Sequence, residues 1–127
     1  MGLILLDTMV LIDNLRRVAP ARDAIVAAID RGDTVAGSVL TKVELLSGMR
    51  AHEKRATRDV LASVRWIDVD DTIAELAGTL ARRYRACHHG IGVVDFVIAA
   101  TVNATDGDLW TRNLKHFPMF PKLLPPY

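Results

Sequence analysis

Three carboxylates of this chain stand among apolar neighbours. Asp7 closes the run LILLD, and Glu44 is the only acid between Asp33 and Glu53, inside VLTKVELLSGM. Asp95 is the only charged residue between His89 and Asp106, set in IGVVDFVIAATV. An unpaired buried carboxylate is costly, and acids normally occupy solvated faces. Each of the three is therefore expected to have a partner, and one shared divalent cation would serve them all. Hard oxygen donors suit Mg²⁺ or Mn²⁺, whereas Zn²⁺ more often recruits His or Cys. Each acid also has a purely structural reading. Asp7 with Thr8 could cap a helix, Thr41-x-x-Glu44 matches a capping box, and Asp95 could be the N-cap of FVIAAT. Ser38 offers the second of these helices an earlier cap. The coincidence of all three acids favours a shared site.

The elements that must position them alternate between strand and helix. Leu3–Asp7 has the length of a short apolar strand, and Met9–Arg17 continues with helical spacing. Pro20 favours a fresh helix start, Ala21–Asp30 is rich in helix formers, and Gly32 closes that helix. Thr34–Ser38 reads as a second strand, with helices expected over Val39–Met49 and Glu53–Ser63. Trp66–Val69 reads as a third strand, followed by a helix from Asp70 or Asp71 to about Arg85 and a loop at His88–Gly92. Asp95–Ala104 is a strongly apolar helix, and Leu109–Thr111 a fourth strand. Met119–Leu123 could be a fifth, confined by Pro121 to a sheet edge. This alternation predicts a three-layer α/β domain with a central, mostly parallel sheet of four to five strands flanked by helices. In such sheets ligands bind beyond the carboxyl ends of the strands, where strand order reverses. Asp7 ends the first strand, Glu44 follows the second, and Asp95 precedes the fourth, so all three can face one crevice.

A chain of 127 residues that is half hydrophobic fits one domain with a continuous core. No run approaches the ~18–20 apolar residues of a membrane span. Asp7 interrupts the apolar start and no basic residue precedes it, so neither a secretory signal nor a membrane role is expected, and Leu6 breaks the myristoylation pattern. Cys87 is the only cysteine, so no internal disulfide can form and a cytoplasmic setting is expected. The net charge of +1 does not mark a nucleic-acid binder. Its distribution is more informative: Arg16 and Arg17, Lys42 and Arg50, Lys54, Arg55 and Arg58, Arg82, Arg83 and Arg85, and Arg112, Lys115 and His116 form local basic groups. Such groups can hold phosphates or simply solvate helix surfaces. Asp13 reads as a surface acid, and Asp106 and Asp108 flank Gly107 in a turn.

Taken in order, LLDTMVLID, TKVELLSG, VDFVIAATV and LWTRNLKHF resemble the successive motifs of PIN-domain ribonucleases, in particular the VapC toxins of bacterial toxin–antitoxin pairs. The resemblance covers essentially the whole chain. It implies a PIN fold and a metal-dependent endoribonuclease whose acidic metal residues are Asp7, Glu44 and Asp95. The fourth family position, often Asp, is Asn113 here, whose amide oxygen can coordinate Mg²⁺ or orient a water but brings no charge. Asp7 and Asp95 would hold the cation, and Glu44 would join them or take the proton of the attacking water. Thr111 could bond a water or a phosphate, and Arg112 and Lys115 are candidate phosphate contacts. The resemblance further implies cleavage that leaves a 5′-phosphate, a homodimer, and a cognate antitoxin that sets an Arg against the acids.

Other chemistries fit less well. A haloacid-dehalogenase-like phosphatase wants a second Asp two positions after the first, where this chain has Met9. A receiver domain needs an acidic pair before its first helix. A metal-independent ribonuclease would use a His acid–base pair, for which only His88 and His89 stand adjacent. The rival from another class is a non-catalytic PIN-like module that binds RNA or protein. Asn113 speaks for it, and the three retained acids speak against it.

Overall fold

A computed structural model describes all residues, Met1–Tyr127. Four strands form the sheet: β1 (Leu3–Leu6), β2 (Thr34–Ser38), β3 (Arg65–Ile67) and β4 (Asp108–Trp110). They pair in the order β3-β2-β1-β4, and every pairing is parallel. The first two crossovers step outward from β1, and the third returns to β1's other side. Because parallel crossovers are right-handed, this reversal sends the intervening helices to opposite faces. On one face lie α1 (Thr8–Leu15), α2 (Ala19–Asp30), α3 (Val39–Ser47) and α4 (Lys54–Ser63), and on the other α5 (Asp71–Tyr84) and α6 (Val93–Thr105).

The period-two alternation of β1 divides the core accordingly. Ile4 and Leu6 pack with Val10, Leu11, Ile25 and Leu45 under the first layer. Leu5 points the other way, to Ile98, Ala99 and Leu109. The strongly apolar α6 is buried without interruption from Phe96 to Val102, because the sheet covers one side of it and α5 the other. At Gly37 a Cβ would lie 2.8 Å from the Trp66 ring, so the β2–β3 pair closes only around glycine.

Several boundaries differ from expectation. The third and fourth strands each begin one residue earlier and end sooner, at Ile67 and Trp110. The helix expected from Glu53 opens as a 3-10 turn, Ala51–Glu53, before α4. The apolar helix starts at Val93, two residues before Asp95. No fifth strand forms. Residues 117–123 fold into two successive turns, with Phe120 N–H on Phe117 O (3.0 Å) and Leu123 N–H on Phe120 O (3.2 Å). Pro118, Pro121, Pro125 and Pro126 remove ladder donors in this tail, while Met119, Phe120 and Leu123 pack on the core instead.

Candidate metal centre

The strand order reverses between β1 and β4, and the crevice lies beyond the carboxyl ends of these two strands. Asp7 follows β1 directly and is 6% exposed. Its N–H donates to Trp110 O (2.9 Å), carrying the strand pairing to the edge of the site. Asp7 Oδ1 accepts from Thr8 N–H at 2.8 Å, capping α1, and Oδ2 accepts from Thr111 Oγ1 at 2.7 Å. Burial pushes the Asp7 carboxyl above its ordinary pKa. The Thr111 and Thr8 bonds oppose that rise, and the charges of Asp95 and Glu44 add to it.

Ser38, not Thr41, caps α3, with its Oγ accepting from Leu40 N–H at 3.2 Å. Glu44 is thereby free of a capping role. Its Oε1 accepts from Thr8 Oγ1, which lies 3.1 Å from Thr41 Oγ1. A hydroxyl has one proton, so Thr41 donates to Thr8 and Thr8 to the carboxylate. Asp95 sits in the first turn of α6, where a negative charge complements the helix dipole. Its Oδ2 accepts from Gly92 N–H at 3.1 Å and faces His116 Nδ1 at 3.0 Å. Capping and site placement thus coexist in Asp7 and Asp95, since one carboxylate has lone pairs enough for both.

Asp7, Glu44, Asp95 and Asn113 line one crevice of ≈ 570 Å³. Of the three acids only Asp7 is buried; Asp95 is half-buried and Glu44 is exposed. Leu6, Leu45 and Phe96 beside them are buried, but Met9, Val43, Leu46 and Val93 are exposed, so the expected burial holds for one carboxylate and not for the set. No three His, Cys, Asp or Glu side chains converge as a ready-made ion cage. The crevice wall nonetheless contains three carboxylates and no Lys or Arg, with His116 its one basic group. Hard carboxylate oxygens, an amide and uncompensated negative charge fit a hard divalent cation.

Thr111, expected to touch water or phosphate, is instead fully buried. Its hydroxyl donates to Asp7 and accepts from Asn113 N–H at 2.9 Å, so it positions both residues from beneath. Asn113 is exposed. Arg112 lines a hollow beside the crevice, 3.8 Å from Asp13 and over the Tyr127 ring at 5.3 Å. Asp13, read from the sequence as surface, is half-buried and accepts from the Tyr127 hydroxyl. Loss of solvent, and then that carboxylate, raise the tyrosine's pKa above its ordinary value. Lys115 is exposed in the 3-10 turn Leu114–His116 and is not in the crevice wall. His116 and Thr8 are the site residues that sequence reasoning missed. For Thr8 the signal was its place beside Asp7. His116 had no ligand spacing to mark it.

The PIN-domain family model matches residues 4–119. The chain belongs to the PIN-domain family. Two relatives of this PIN domain, both from Mycobacterium tuberculosis, are Ribonuclease VapC19, 45% identical over 97% of this chain and 98% of the relative, and Ribonuclease VapC10, 46% identical over 98% and 93%. Among solved structures, a toxin–antitoxin complex from Klebsiella pneumoniae contains a chain that superposes with a TM-score of 0.81 at 30% identity, covering 98% of each.

Proposed function

We propose that this PIN domain is a metal-dependent endoribonuclease and the toxin of a toxin–antitoxin pair, hydrolysing RNA phosphodiester bonds. One observation carries the reading: three carboxylates from three separate elements share a crevice at the switch point of a PIN sheet, with no Lys or Arg to balance them. The names of its relatives and structural neighbours support it. Asp7, Asp95 and Glu44 would hold Mg²⁺ or Mn²⁺. When bound, the cation supplies positive charge at the phosphate and lowers the pKa of water in the crevice.

The chain's own residues do the rest. Thr111 fixes the Asp7 carboxylate, and through Asn113 N–H it sets where the amide side chain starts. Thr8 holds one Glu44 oxygen and leaves the other to accept the proton of an attacking water. His116 anchors Asp95, its Nδ1 lying 3.0 Å from the carboxylate oxygen. Asn113 orients water without adding charge, and Arg112 stands beside the crevice as a phosphate contact, with Lys115 outside it. Cleavage leaves a 5′-phosphate. The protein works in the cytoplasm as a homodimer, and a cognate antitoxin restrains it by placing a guanidinium against the acids.

The test is to incubate purified protein with total bacterial RNA and Mg²⁺ or Mn²⁺, beside EDTA and Asp95→Asn controls. Discrete fragments that vanish in both controls are expected. Fragments persisting in EDTA would overturn the metal mechanism. Asn113, standing where an acid is common, favours a second reading as a non-catalytic binding module, and a folded protein that binds RNA without ever cutting it would establish that one.

A further inference from the structure

We propose that the hollow at the carboxyl end of α1 is a second phosphate subsite, holding the RNA backbone outside the scissile phosphate. The inference rests on the ribonuclease reading and adds a residue set to it. The hollow, ≈ 380 Å³, is walled by Arg16, Arg17, Arg50 and His52, with Glu53 its single acid. Glu53 is 7% exposed and both its oxygens are engaged, Oε2 by Arg16 Nε at 3.1 Å and Oε1 by Arg50 N–H at 3.0 Å. Three arginines therefore line the hollow beside one carboxylate whose two oxygens are both taken. Arg17 and Arg50 form no ion pair anywhere in the structure. Such a surplus of bidentate donors is a phosphate-binding chemistry.

Two further observations point the same way. Arg17 has φ 62°, a left-handed backbone just past the end of a helix, where glycine is the unstrained residue. The chain carries an arginine there, and that residue lines the hollow. The hollow is also linked to the acid crevice by shared wall residues. A narrow cleft shares Ile12 and Glu44 with the crevice, and Leu15, Arg16 and Glu53 with the hollow. Helix α1 forms the common wall, and the ten steps from Asp7 to Arg17 span about 15 Å at the helical rise. A strand seated over the acids has further phosphates to place, and the excess cations lie at the end of this track. Arg112, by contrast, is already shared between Asp13 and Tyr127.

The experiment measures anisotropy of a fluorescein-labelled oligouridylate with Mg²⁺ over a range of salt, in an Asp95→Asn background that leaves the RNA intact. Replacing Arg17 with Gly and Arg50 with Gln should weaken binding several-fold. It should also flatten the log–log salt slope by about 1.4, from two lost contacts at about 0.7 each. Arg17→Gly removes backbone strain, so its melting temperature should equal or exceed the parent's, which separates lost binding from lost folding. A control pair, Arg65→Gln with Lys122→Gln, removes two exposed charges at the opposite ends of the strands and should leave the slope unchanged. An unchanged slope in the Arg17/Arg50 variant, or an equal loss in the control pair, overturns the subsite while RNA cleavage by the otherwise wild-type chain keeps the ribonuclease reading. Loss of binding to a glutamate-rich peptide with RNA affinity intact overturns the RNA assignment in favour of an acidic protein segment. A parent chain that neither binds nor cuts RNA overturns both readings.

Discussion

Asp7 concentrates the conflict between stability and function in one carboxylate. Its pKa is raised chiefly by burial, so the folded state holds the proton more tightly than the unfolded chain does. The sign follows from linkage: its contribution favours folding below the unfolded carboxyl pKa, about 3.9, and is lost as pH rises through the higher folded value. Asp7→Asn should therefore melt higher than wild type at neutral pH in EDTA, with the gap closing on acidification. The same variant should lose at least about a hundredfold in cleavage rate. Thermal scans from pH 3 to 8 beside an RNA assay test both, and a lower melting point at pH 7 would contradict the desolvation argument. Thr111 acts differently, because its one hydroxyl serves two neighbours. Thr111→Val keeps the shape but strips a partner from Asp7 and from Asn113 N–H, which should cost about 1–3 kcal/mol in chemical denaturation. Cleavage should slow about 10–100-fold, the usual scale for groups that orient metal ligands. Thr111→Ser should recover most of both losses.

At the scale of elements, the site depends on how the ends of helices are tied to one another. Helix α1 is flanked by its caps Asp7 and Arg16, and Glu53 links Arg16 to the 3-10 turn before α4. The Arg50 N–H bond, and then Arg16, hold the Glu53 carboxyl below its ordinary pKa. A depressed folded value stabilises the fold above the unfolded pKa, and that stabilisation disappears as pH falls through the folded value. Glu53→Gln should accordingly lower the melting temperature at pH 7 and match wild type once pH falls below the carboxylate range. A deficit that stays constant with pH would mean that packing, not ionisation, is what Glu53 contributes. Arg17, next to that anchored end, is in the left-handed conformation.

For the whole molecule, the balance of charge in the crevice is decisive. Three acids share the crevice wall with no Lys or Arg, and on the proposed metal reading a cation would relieve their mutual repulsion. A ligand that binds only the folded state stabilises it by mass action, by about 2.7 kcal/mol at a hundred times its Kd. Mg²⁺ or Mn²⁺ should raise the melting temperature of the wild type by several degrees relative to EDTA, and Asp95→Asn should abolish most of that rise. Equal shifts in both proteins would place any ion elsewhere.

The sequence by itself determined the layer architecture and the order of the motifs. Hydrophobic period separates strands from helices, and three lone acids in apolar runs stand out by composition alone. The local readings were limited by the same fact that made them possible, which is that a carboxylate beside a helix start looks alike whether it caps, coordinates or does both. The end of the chain misled for a related reason: Met119–Leu123 has strand-like composition, but four prolines and an apolar face for docking turned it into a cap on the core. Only the tertiary structure decided that Asp7 alone of the three crevice acids is buried, that Thr111 bonds Asp7 from beneath, and that His116 meets Asp95. These depend on residues brought together from distant parts of the chain; Thr111, for example, lies 104 positions from Asp7. Their contacts arise from the reversal of strand order between β1 and β4, a property of sheet topology that no local pattern encodes.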